Sequence, residues 1–182
     1  MPDLRAFLSD TYTAVDFETA NRSGGVSACQ IALVKVENGR IVDRFSTLLK
    51  PPSEYSTFEF TYLHGIRYKD VRNAPTWPEI APSVRSFVGN FPVYAHNAQF
   101  DSRVWRELDI YYGVESQPDH LFCTYRLTKR LVPGLENYKL PTVLKWCAPH
   151  YKLKHHKADS DAEACALIVN SLQSNTQLHS NL

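Results

Sequence analysis

Apolar residues follow one another in short blocks along this chain, and the blocks differ in period. Five blocks are rich in β-branched and aromatic residues and end at polar or turn-forming positions, which predicts strands. These blocks are residues 12–18, 29–36, 41–49, 92–96 and 121–124. Asn38 and Gly39 separate the second block from the third and predict a tight hairpin, because both central turn residues need positive φ.

Other apolar blocks repeat at the spacing of a helix. Thr76 and Glu79 form a capping-box pattern ahead of an apolar stripe, and Ser160 and Glu163 repeat that pattern ahead of a final helix. Further helices are expected after residue 97 and near residues 125–131 and 141–147.

The order of these elements predicts an α/β fold. Three strands in succession, followed by strands that alternate with helices, predict a mixed five-stranded sheet covered by helices. A chain of 182 residues is most simply a single domain. We place its core at about residues 11–173 and expect a polar, frayed tail at residues 174–182.

Two features bear on the cellular compartment. The opening residues lack the basic-then-apolar order of a signal peptide, and no apolar run approaches the roughly 20 residues of a membrane helix. The four cysteines are far apart and include no C-x-x-C pair, which predicts isolated thiols rather than a zinc site or disulfides. We therefore expect a cytoplasmic protein with no membrane partner.

Charge is unevenly distributed, although the net charge is only +1. Residues 120–160 carry eight Lys or Arg against two acids, a local charge of +6 that leaves −5 for the rest. A basic segment leading into an acidic site suits a polyanion that is attracted and then cut. Charge alone is equally compatible with a solvated, lysine-rich surface.

Four acids and one histidine stand where predicted strands end or helices begin. They are Asp16, Glu18, Asp101, His156 and Asp161. Asp16 and Glu18 are two apart on a strand, so their side chains leave the same face. Each acid alone has an ordinary explanation, at a strand end or in the first turn of a helix. Together they predict a site for hard divalent cations, because clustered carboxylates repel one another without protons or cations. His156 is the histidine best placed to reach that site, although His155 competes.

At these residues the chain resembles the DEDDh 3′–5′ exonucleases, a family similar to the proofreading epsilon subunit of bacterial DNA polymerase III. Residues 15–19 (VDFET) resemble the first motif of the family, residues 94–101 (YAHNAQFD) the second, and residues 156–162 (HKADSDA) the third. Residues 63–66 (LHGI) resemble a segment that lines the family's site. The resemblance extends over roughly residues 13–172.

The resemblance implies a ribonuclease H-like fold and two divalent ions, Mg²⁺ or Mn²⁺, that serve hydrolysis from a 3′ end. It implies that Asp16 bridges both ions and that Glu18 and Asp161 bind the ion on the nucleophile side. Asp101 would act through the second ion, directly or through water, and His156 would be the general base. Two cations about 3.5–4 Å apart suit such a reaction, and a positioned base contributes roughly 10²–10⁴-fold. The product would be a nucleoside 5′-monophosphate.

The resemblance also implies contacts to the terminal nucleotide. Thr19 and Ala20 would offer backbone groups, and His64, Asn97 and Phe100 match positions beside the substrate, Phe100 by stacking on a base. Each of the last three has a structural alternative. Asn97 could cap a helix, Phe100 could belong to the core, and His64 could be a turn residue.

The expected function is removal of nucleotides from the 3′ end of DNA, preferably single-stranded or frayed. An exoribonuclease is an alternative, since the choice depends on room for the 2′-OH. Two non-catalytic alternatives are a nucleic-acid or polymerase-partner module and a structural metal-binding domain. Nucleic acid is the expected partner, with a DNA polymerase as a further candidate. The oligomeric state, and whether the chain is one domain of a longer protein, stay open.

Overall fold

A five-stranded sheet forms the centre of the computed structural model, which describes residues 9–180 and their side chains as far as residue 176. β1 (Thr11–Thr19), β2 (Ala28–Glu37) and β3 (Arg40–Leu48) pair antiparallel, whereas β4 (Val93–Ala95) and β5 (Leu121–Cys123) run parallel to β1. The strand order is β3-β2-β1-β4-β5. The predicted mixed α/β sheet and its five strands are thereby confirmed.

Seven α-helices accompany the sheet within residues 9–180. Three come before β4, namely α1 (Thr61–His64), α2 (Tyr68–Val71) and α3 (Trp77–Val88). Four follow it, namely α4 (Ala98–Tyr112), α5 (Thr124–Leu131), α6 (Leu140–Cys147) and α7 (Ala158–Ser180). Single 3₁₀ turns occur at Gly25–Ser27 and Ser53–Tyr55.

Two local sequence signals, one for a hairpin and one for a helix cap, correspond to the structures that they predict. Asn38 and Gly39 have φ angles of 49° and 74°, as the tight hairpin between β2 and β3 requires. Thr76 precedes α3, and the Glu79 carboxylate accepts a hydrogen bond from the backbone N–H of Thr76 at 2.7 Å. The capping box predicted at this helix is therefore confirmed.

The last helix differs from the prediction at its start. It begins at Ala158, and the hydroxyl of Ser160 accepts a hydrogen bond from the backbone N–H of Lys154 at 2.9 Å. The capping box predicted to begin at Ser160 is wrong, because this residue lies inside the helix and holds the preceding loop. The helix reaches Ser180 and so includes residues 174–180 of the predicted polar tail, whose fraying stays a prediction. The opening residues 1–8, with their lack of a signal pattern, and residues 181–182 of the tail lie outside the described residues.

Helices cover both faces of the sheet, and β1 contributes to both layers. Tyr12 and Ala14 pack on the face covered by α5, α6 and α7. Val15 and Phe17 pack on the face covered by α3 and α4. Because side chains alternate along a strand, the acids at positions 16 and 18 leave the same face as Tyr12 and Ala14. The strand therefore directs them towards α7.

An aromatic cluster holds the carboxyl end of β1 from the other side. The ring of Phe17 lies 6.0 Å from Trp77 and 5.7 Å from Trp105, centroid to centroid. Such pairs contribute about 0.5–1.5 kcal/mol each beyond their buried area. The indole N–H of Trp77 donates to the buried carboxylate of Asp109 at 2.7 Å. The strand end that carries the acids is therefore fixed by packing on its opposite face.

Two negative findings concern the described part of the chain. Among its helices, none combines the length and the apolarity that a membrane span requires. All four cysteines fall within the described residues and are free thiols, as their spacing predicts.

Candidate active site

A cleft of about 530 Å³ opens beside the carboxyl end of β1. This volume lies in the range of roughly 300–1,000 Å³ that is typical of small-molecule sites. Four of the five residues predicted to be catalytic line it, namely Asp16, Glu18, His156 and Asp161. The fifth, Asp101, lies behind the cleft at the first turn of α4 and is 1% exposed.

Three carboxylates meet in this cleft from two elements of the fold. Asp16 and Glu18 extend from β1 towards α7, and Asp161 extends from the first turn of that helix. One carboxylate oxygen from each of the three residues lies within 4.8 Å of the other two. The structure thus brings together residues that are more than 140 positions apart along the chain.

The hydrogen bonds of Asp161 leave one of its oxygens unused. Its Oδ2 accepts a hydrogen bond from the backbone N–H of His156 at 2.8 Å and lies 3.0 Å from Nδ1 of His155. Its Oδ1 is buried without a hydrogen-bond partner. Buried oxygens are normally satisfied, and a cation bound among the three carboxylates would satisfy this one. An all-oxygen donor set suits Mg²⁺ or Mn²⁺, so the residues present fit the metal that the sequence predicts.

Asp101 is tied to β1 by a hydrogen bond. Its Oδ1 accepts from the backbone N–H of Phe17 at 3.0 Å, next to Asp16 in the chain. Its charge is also one of the causes that raise the pKa of Asp16. Asp101 therefore stands close to the three-carboxylate group without being one of its members. That it acts through a second metal ion stays a prediction.

The carboxyl groups of the site hold their protons more tightly than usual. Burial, and then the charge of Asp161, raise the pKa of Glu18 to about 7, although Lys157 opposes the rise. Burial raises the pKa of Asp101 to about 8, against the hydrogen bond from Phe17. Burial and the neighbouring acids raise the pKa of Asp16 well above its ordinary value. A bound cation would reverse this effect, since it favours the ionised forms.

His156 lies at the mouth of the cleft in a constrained loop. Its φ is 63°, a left-handed conformation that is uncommon outside glycine, and its backbone N–H is held by Asp161. Its ring stacks on that of His155 with centroids 3.8 Å apart. Burial, followed by the charge of His155, lowers the pKa of His156. The neutral ring can accept a proton near pH 7.

Three of the five residues predicted to contact the terminal nucleotide line the cleft, namely Thr19, Asn97 and Phe100. Asn97 occupies the position before α4 with φ 69°, and its side chain makes no capping hydrogen bond. The alternative that its side chain caps the helix is therefore wrong. Phe100 is half-buried, packing against the core while it borders the cleft.

The other two, His64 and Ala20, are buried behind the cleft. His64 is 1% exposed; its Nε2 lies 3.1 Å from the carbonyl oxygen of Thr19, and its Nδ1 accepts from the N–H of Ile66 at 3.0 Å. The N–H of Ala20 donates to Ser27 at 2.8 Å, and its carbonyl oxygen accepts two further backbone hydrogen bonds. In the structure His64 therefore supports the end of β1, and the backbone N–H and carbonyl oxygen of Ala20 are both hydrogen-bonded within the protein. That these two residues contact the terminal nucleotide stays a prediction.

Several cleft residues were not singled out from the sequence. Phe60, Leu63, Tyr125 and Lys139 line it. Leu63 lies in the segment that resembles a family motif, and Lys139 lies in the basic segment, so the sequence contained a signal that could have placed both at the site. Phe60 and Tyr125 had none, because an aromatic residue that faces a cleft looks like a core residue in sequence.

His96 also lines the cleft but is engaged by the protein. Its Nδ1 lies 2.9 Å from the hydroxyl of Thr124, and its Nε2 donates to the carbonyl oxygen of Tyr138 at 2.9 Å. Burial lowers its pKa to about 4. This neutral, doubly bonded ring joins β4, α5 and the loop before α6, and thereby shapes one wall of the cleft.

Comparison with known proteins agrees with this geometry. The model of the exonuclease family RNase_T matches residues 13–169, a span that contains the four acids and His156. The chain belongs to the DEDDh 3′–5′ exonuclease family. It is thus a hydrolase that acts on nucleic acids, from a family that is metal-dependent.

The exonuclease is similar to parts of two longer bacterial proteins. It is 32% identical over 164 residues to the PolC-type DNA polymerase III of Caldanaerobacter subterraneus, a match that covers 90% of this chain and 12% of the relative. It is 31% identical over 163 residues to the 3′-5′ exonuclease DinG of Bacillus subtilis, covering 86% of this chain and 17% of the relative. The exonuclease therefore spans less than a fifth of either relative.

Solved structures share its ribonuclease H-like fold. Exonuclease X in complex with 5′-overhanging duplex DNA has a TM-score of 0.72 at 26% identity, covering 91% of this chain and 92% of that chain. The nuclease domain of 3′hExo, a DEDDh family member bound to rAMP, has a TM-score of 0.76 at 16% identity, covering 94% and 93%. Exonuclease I of E. coli with a dA16 oligonucleotide has a TM-score of 0.77 at 16% identity, covering 93% and 42%. The last two likenesses support the fold alone.

Proposed function

We propose that this exonuclease removes nucleotides from the 3′ end of DNA, preferably single-stranded or frayed, and releases nucleoside 5′-monophosphates. The observation that carries the proposal is the meeting of Asp16, Glu18 and Asp161 within 4.8 Å, in an open cleft that His156 also lines. Carboxylates crowded in this way need cations. A neutral imidazole beside them supplies the remaining group that hydrolysis of a phosphodiester requires.

The acids have distinct roles in the proposed site. Asp16, Glu18 and Asp161 would hold divalent ions, Mg²⁺ or Mn²⁺, with Asp16 shared between two ions, and Asp101 would help to hold the second ion, directly or through water. When bound, the ions supply positive charge that activates the attacking water and stabilises the departing 3′ oxygen. The raised pKa values of Glu18 and Asp101 support this role, because near pH 7 such acids are fully ionised only when a cation lowers their pKa.

His156 accepts the proton of the attacking water on an imidazole nitrogen. Two observations support this role. The lowered pKa of the ring leaves it neutral near pH 7. The hydrogen bond from its backbone N–H to Asp161, at 2.8 Å, holds the loop beside the carboxylates. The ring of His155 is stacked on that of His156, with centroids 3.8 Å apart.

The walls of the cleft support a substrate with an unpaired terminal base. Phe60, Phe100 and Tyr125 present aromatic rings to it, and Asn97 presents an amide without a capping bond. Every base has a face on which an aromatic ring can stack, so binding by stacking tolerates any nucleotide sequence. A base must leave its partner to stack there, which favours single strands and frayed ends.

A DNA polymerase is the protein partner that we propose to test. The support is the similarity to PolC-type DNA polymerase III, although the exonuclease covers only 12% of that relative. Size-exclusion chromatography of the exonuclease with a purified replicative polymerase would test this pairing. Separate elution at micromolar concentrations would argue for an exonuclease that acts without one.

The proposed function is tested by incubating the exonuclease with single-stranded DNA and RNA of the same sequence, each labelled at its 5′ end. Reactions contain Mg²⁺, Mn²⁺ or EDTA. We expect a ladder that shortens from the 3′ end with either metal, faster on DNA, and no products in EDTA. Faster shortening of RNA would assign the site to an exoribonuclease instead. No cleavage of either strand would favour a binding module.

A matched pair of variants shows whether the cleft performs the reaction. Asp161→Asn removes a proposed metal ligand and should abolish the ladder. Asp159→Asn changes an exposed acid two residues away on the same helix and should keep it. Equal activity of the two variants would show that the reaction occurs elsewhere.

A further inference from the structure

One exposed face of α4 leads away from the catalytic cleft. Gln99, Ser102, Arg103 and Arg106 follow one another at helical spacing, so they lie on one side of the helix. They border a groove of about 440 Å³ together with Asn97 and Phe100. Asn97 and Phe100 also line the catalytic cleft, so the groove continues from it.

This groove carries positive charge without a compensating acid. Neither Asp nor Glu is among the residues that line it. Among the ion pairs of the described residues, none involves Arg103 or Arg106. The nearby acid on the same helix, Glu107, instead accepts a hydrogen bond from the backbone N–H of Gly25. Both guanidinium groups therefore remain available to an anion.

Phe100 links the charged face to the catalytic cleft. The guanidinium carbon of Arg103 lies 5.9 Å from the centroid of the Phe100 ring, within the distance of a cation–π contact. The same ring borders the cleft where a base is proposed to stack. One nucleic-acid strand could then stack a base on this ring and place a backbone phosphate against Arg103.

We propose that Arg103 and Arg106 bind the backbone phosphates of the substrate strand on the 5′ side of its terminal nucleotide. This inference rests on the proposed function. The distance along α4 from Asn97 to Arg106 is about 13 Å at a rise of 1.5 Å per residue. That length corresponds to about four stacked nucleotides. The face thus makes affinity depend on the length of the strand, up to about five nucleotides.

A second groove also leaves the cleft, between the start of α4 and α5. It is bordered by Tyr125 and Arg126. It offers one arginine where the first groove offers two, and no cation–π contact joins Arg126 to a cleft aromatic among the described residues. Charge complementarity with a polyanion therefore favours the face that carries Arg103 and Arg106.

The test is the double variant Arg103→Gln and Arg106→Gln, assayed on oligothymidylates of two to twelve nucleotides. Binding of 5′-fluorescein-labelled strands is followed by fluorescence anisotropy in EDTA from 50 to 300 mM salt. We expect affinity for strands longer than about five nucleotides to fall roughly tenfold, and the slope of log K against log salt to shrink by about 1.4 for two lost phosphate contacts. Oligouridylates run in parallel show whether the face distinguishes RNA from DNA.

Two arginines serve as controls. Arg40→Gln removes an exposed charge at the β2–β3 hairpin, at the opposite end of β1 from the acids, and should change neither quantity. Arg126→Gln tests the second groove. The proposal would be overturned if only Arg126→Gln lost affinity for the strand, or if the salt slope of the double variant were unchanged.

Hydrolysis of a small ester separates this inference from the proposed function. The p-nitrophenyl ester of thymidine 5′-monophosphate is too short to reach the face of α4, so its kcat/KM should stay within about twofold in the double variant, while KM for long strands rises roughly tenfold. An equal loss of kcat/KM for the ester and for the long strand would show that the arginines support the catalytic cleft instead. If the wild type hydrolyses neither substrate, the proposed function fails, and the anisotropy measurements still decide the role of the arginines.

Discussion

Replacing Glu18 by Gln should stabilise the metal-free exonuclease at pH 8. Glu18 is 7% exposed, and burial, followed by the charge of Asp161, raises its pKa to about 7 from 4.5. An acid with a raised pKa binds more protons in the folded than in the unfolded state. The free energy of unfolding therefore falls as pH rises from about 4.5 to 7 and stays low above that range. Gln carries no such cost.

The size of the effect follows from the same pKa values. A tenfold change in proton affinity corresponds to about 1.4 kcal/mol, so ionised Glu18 costs on the order of 3 kcal/mol at pH 8. For a protein of this size, 1 kcal/mol shifts Tm by roughly 2–4 °C. We expect a rise in Tm of about 6–12 °C at pH 8, less whatever the buried amide loses in hydrogen bonding. At pH 5 the gain should be below about 1 kcal/mol.

The assay is thermal unfolding followed by circular dichroism, in EDTA at pH 5 and pH 8 and with Mn²⁺ at pH 8. Mn²⁺ should stabilise the wild type more than the variant, because an ion that binds only the folded protein stabilises it by mass action. Glu136→Gln, at an exposed carboxylate, is the matched control and should leave Tm unchanged. Equal Tm values for wild type and Glu18→Gln at pH 8 in EDTA, or a larger gain at pH 5, would refute the reasoning.

Three other substitutions give distinct outcomes. Asp16→Ala should lower kcat by at least about 10³-fold and weaken Mn²⁺ binding in calorimetric titration, because it removes the carboxylate proposed to contact both ions. His156→Ala should lower kcat by roughly 10²–10⁴-fold while Mn²⁺ binding stays near the wild-type value, since the ring is proposed as a base and not as a ligand. Asp109→Ala should lower the free energy of unfolding by about 2–4 kcal/mol in urea titration without reducing turnover, because it leaves Trp77 and Ser116 without their acceptor.

Each of these substitutions has an exposed counterpart. Asp159→Asn, His150→Gln and Asp119→Ala change the same residue types at exposed positions. Full activity in Asp16→Ala or His156→Ala would contradict the assignment of the cleft. An unfolding curve of Asp109→Ala that matches that of Asp119→Ala would contradict the role of the buried carboxylate.

The sequence predicts the sheet because short-range rules decide its elements. Alternation along β1 places Asp16 and Glu18 on one face, and the Asn38-Gly39 turn joins β2 to β3. The approach of Asp161 to these acids depends on the packing of α7 across the sheet. No local pattern encodes that contact, and the resemblance to a family supplied it.

The predictions that were wrong have a common cause. Contacts with residues distant in the chain, or a different local hydrogen bond, compete with the local sequence rule. The pattern beginning at Ser160 satisfies the rule for a capping box, yet the N–H of Asp161 donates to Lys157 at 2.9 Å and the helix begins earlier. The burial of His64, whose Nε2 lies 3.1 Å from the carbonyl oxygen of Thr19, was likewise not visible in the sequence. Burial of this kind is set by tertiary packing, which a single sequence does not display.

The central claim is that the carboxylates in the cleft hold two catalytic ions, and a crystal structure with Mn²⁺ and thymidine 5′-monophosphate tests it most directly. We predict two anomalous peaks beside Asp16, about 3.5–4 Å apart. One peak should contact Glu18 and Asp161, and the phosphate should lie against both. Absence of Mn²⁺ from this cleft, in crystals that bind it elsewhere and retain activity, would contradict the account.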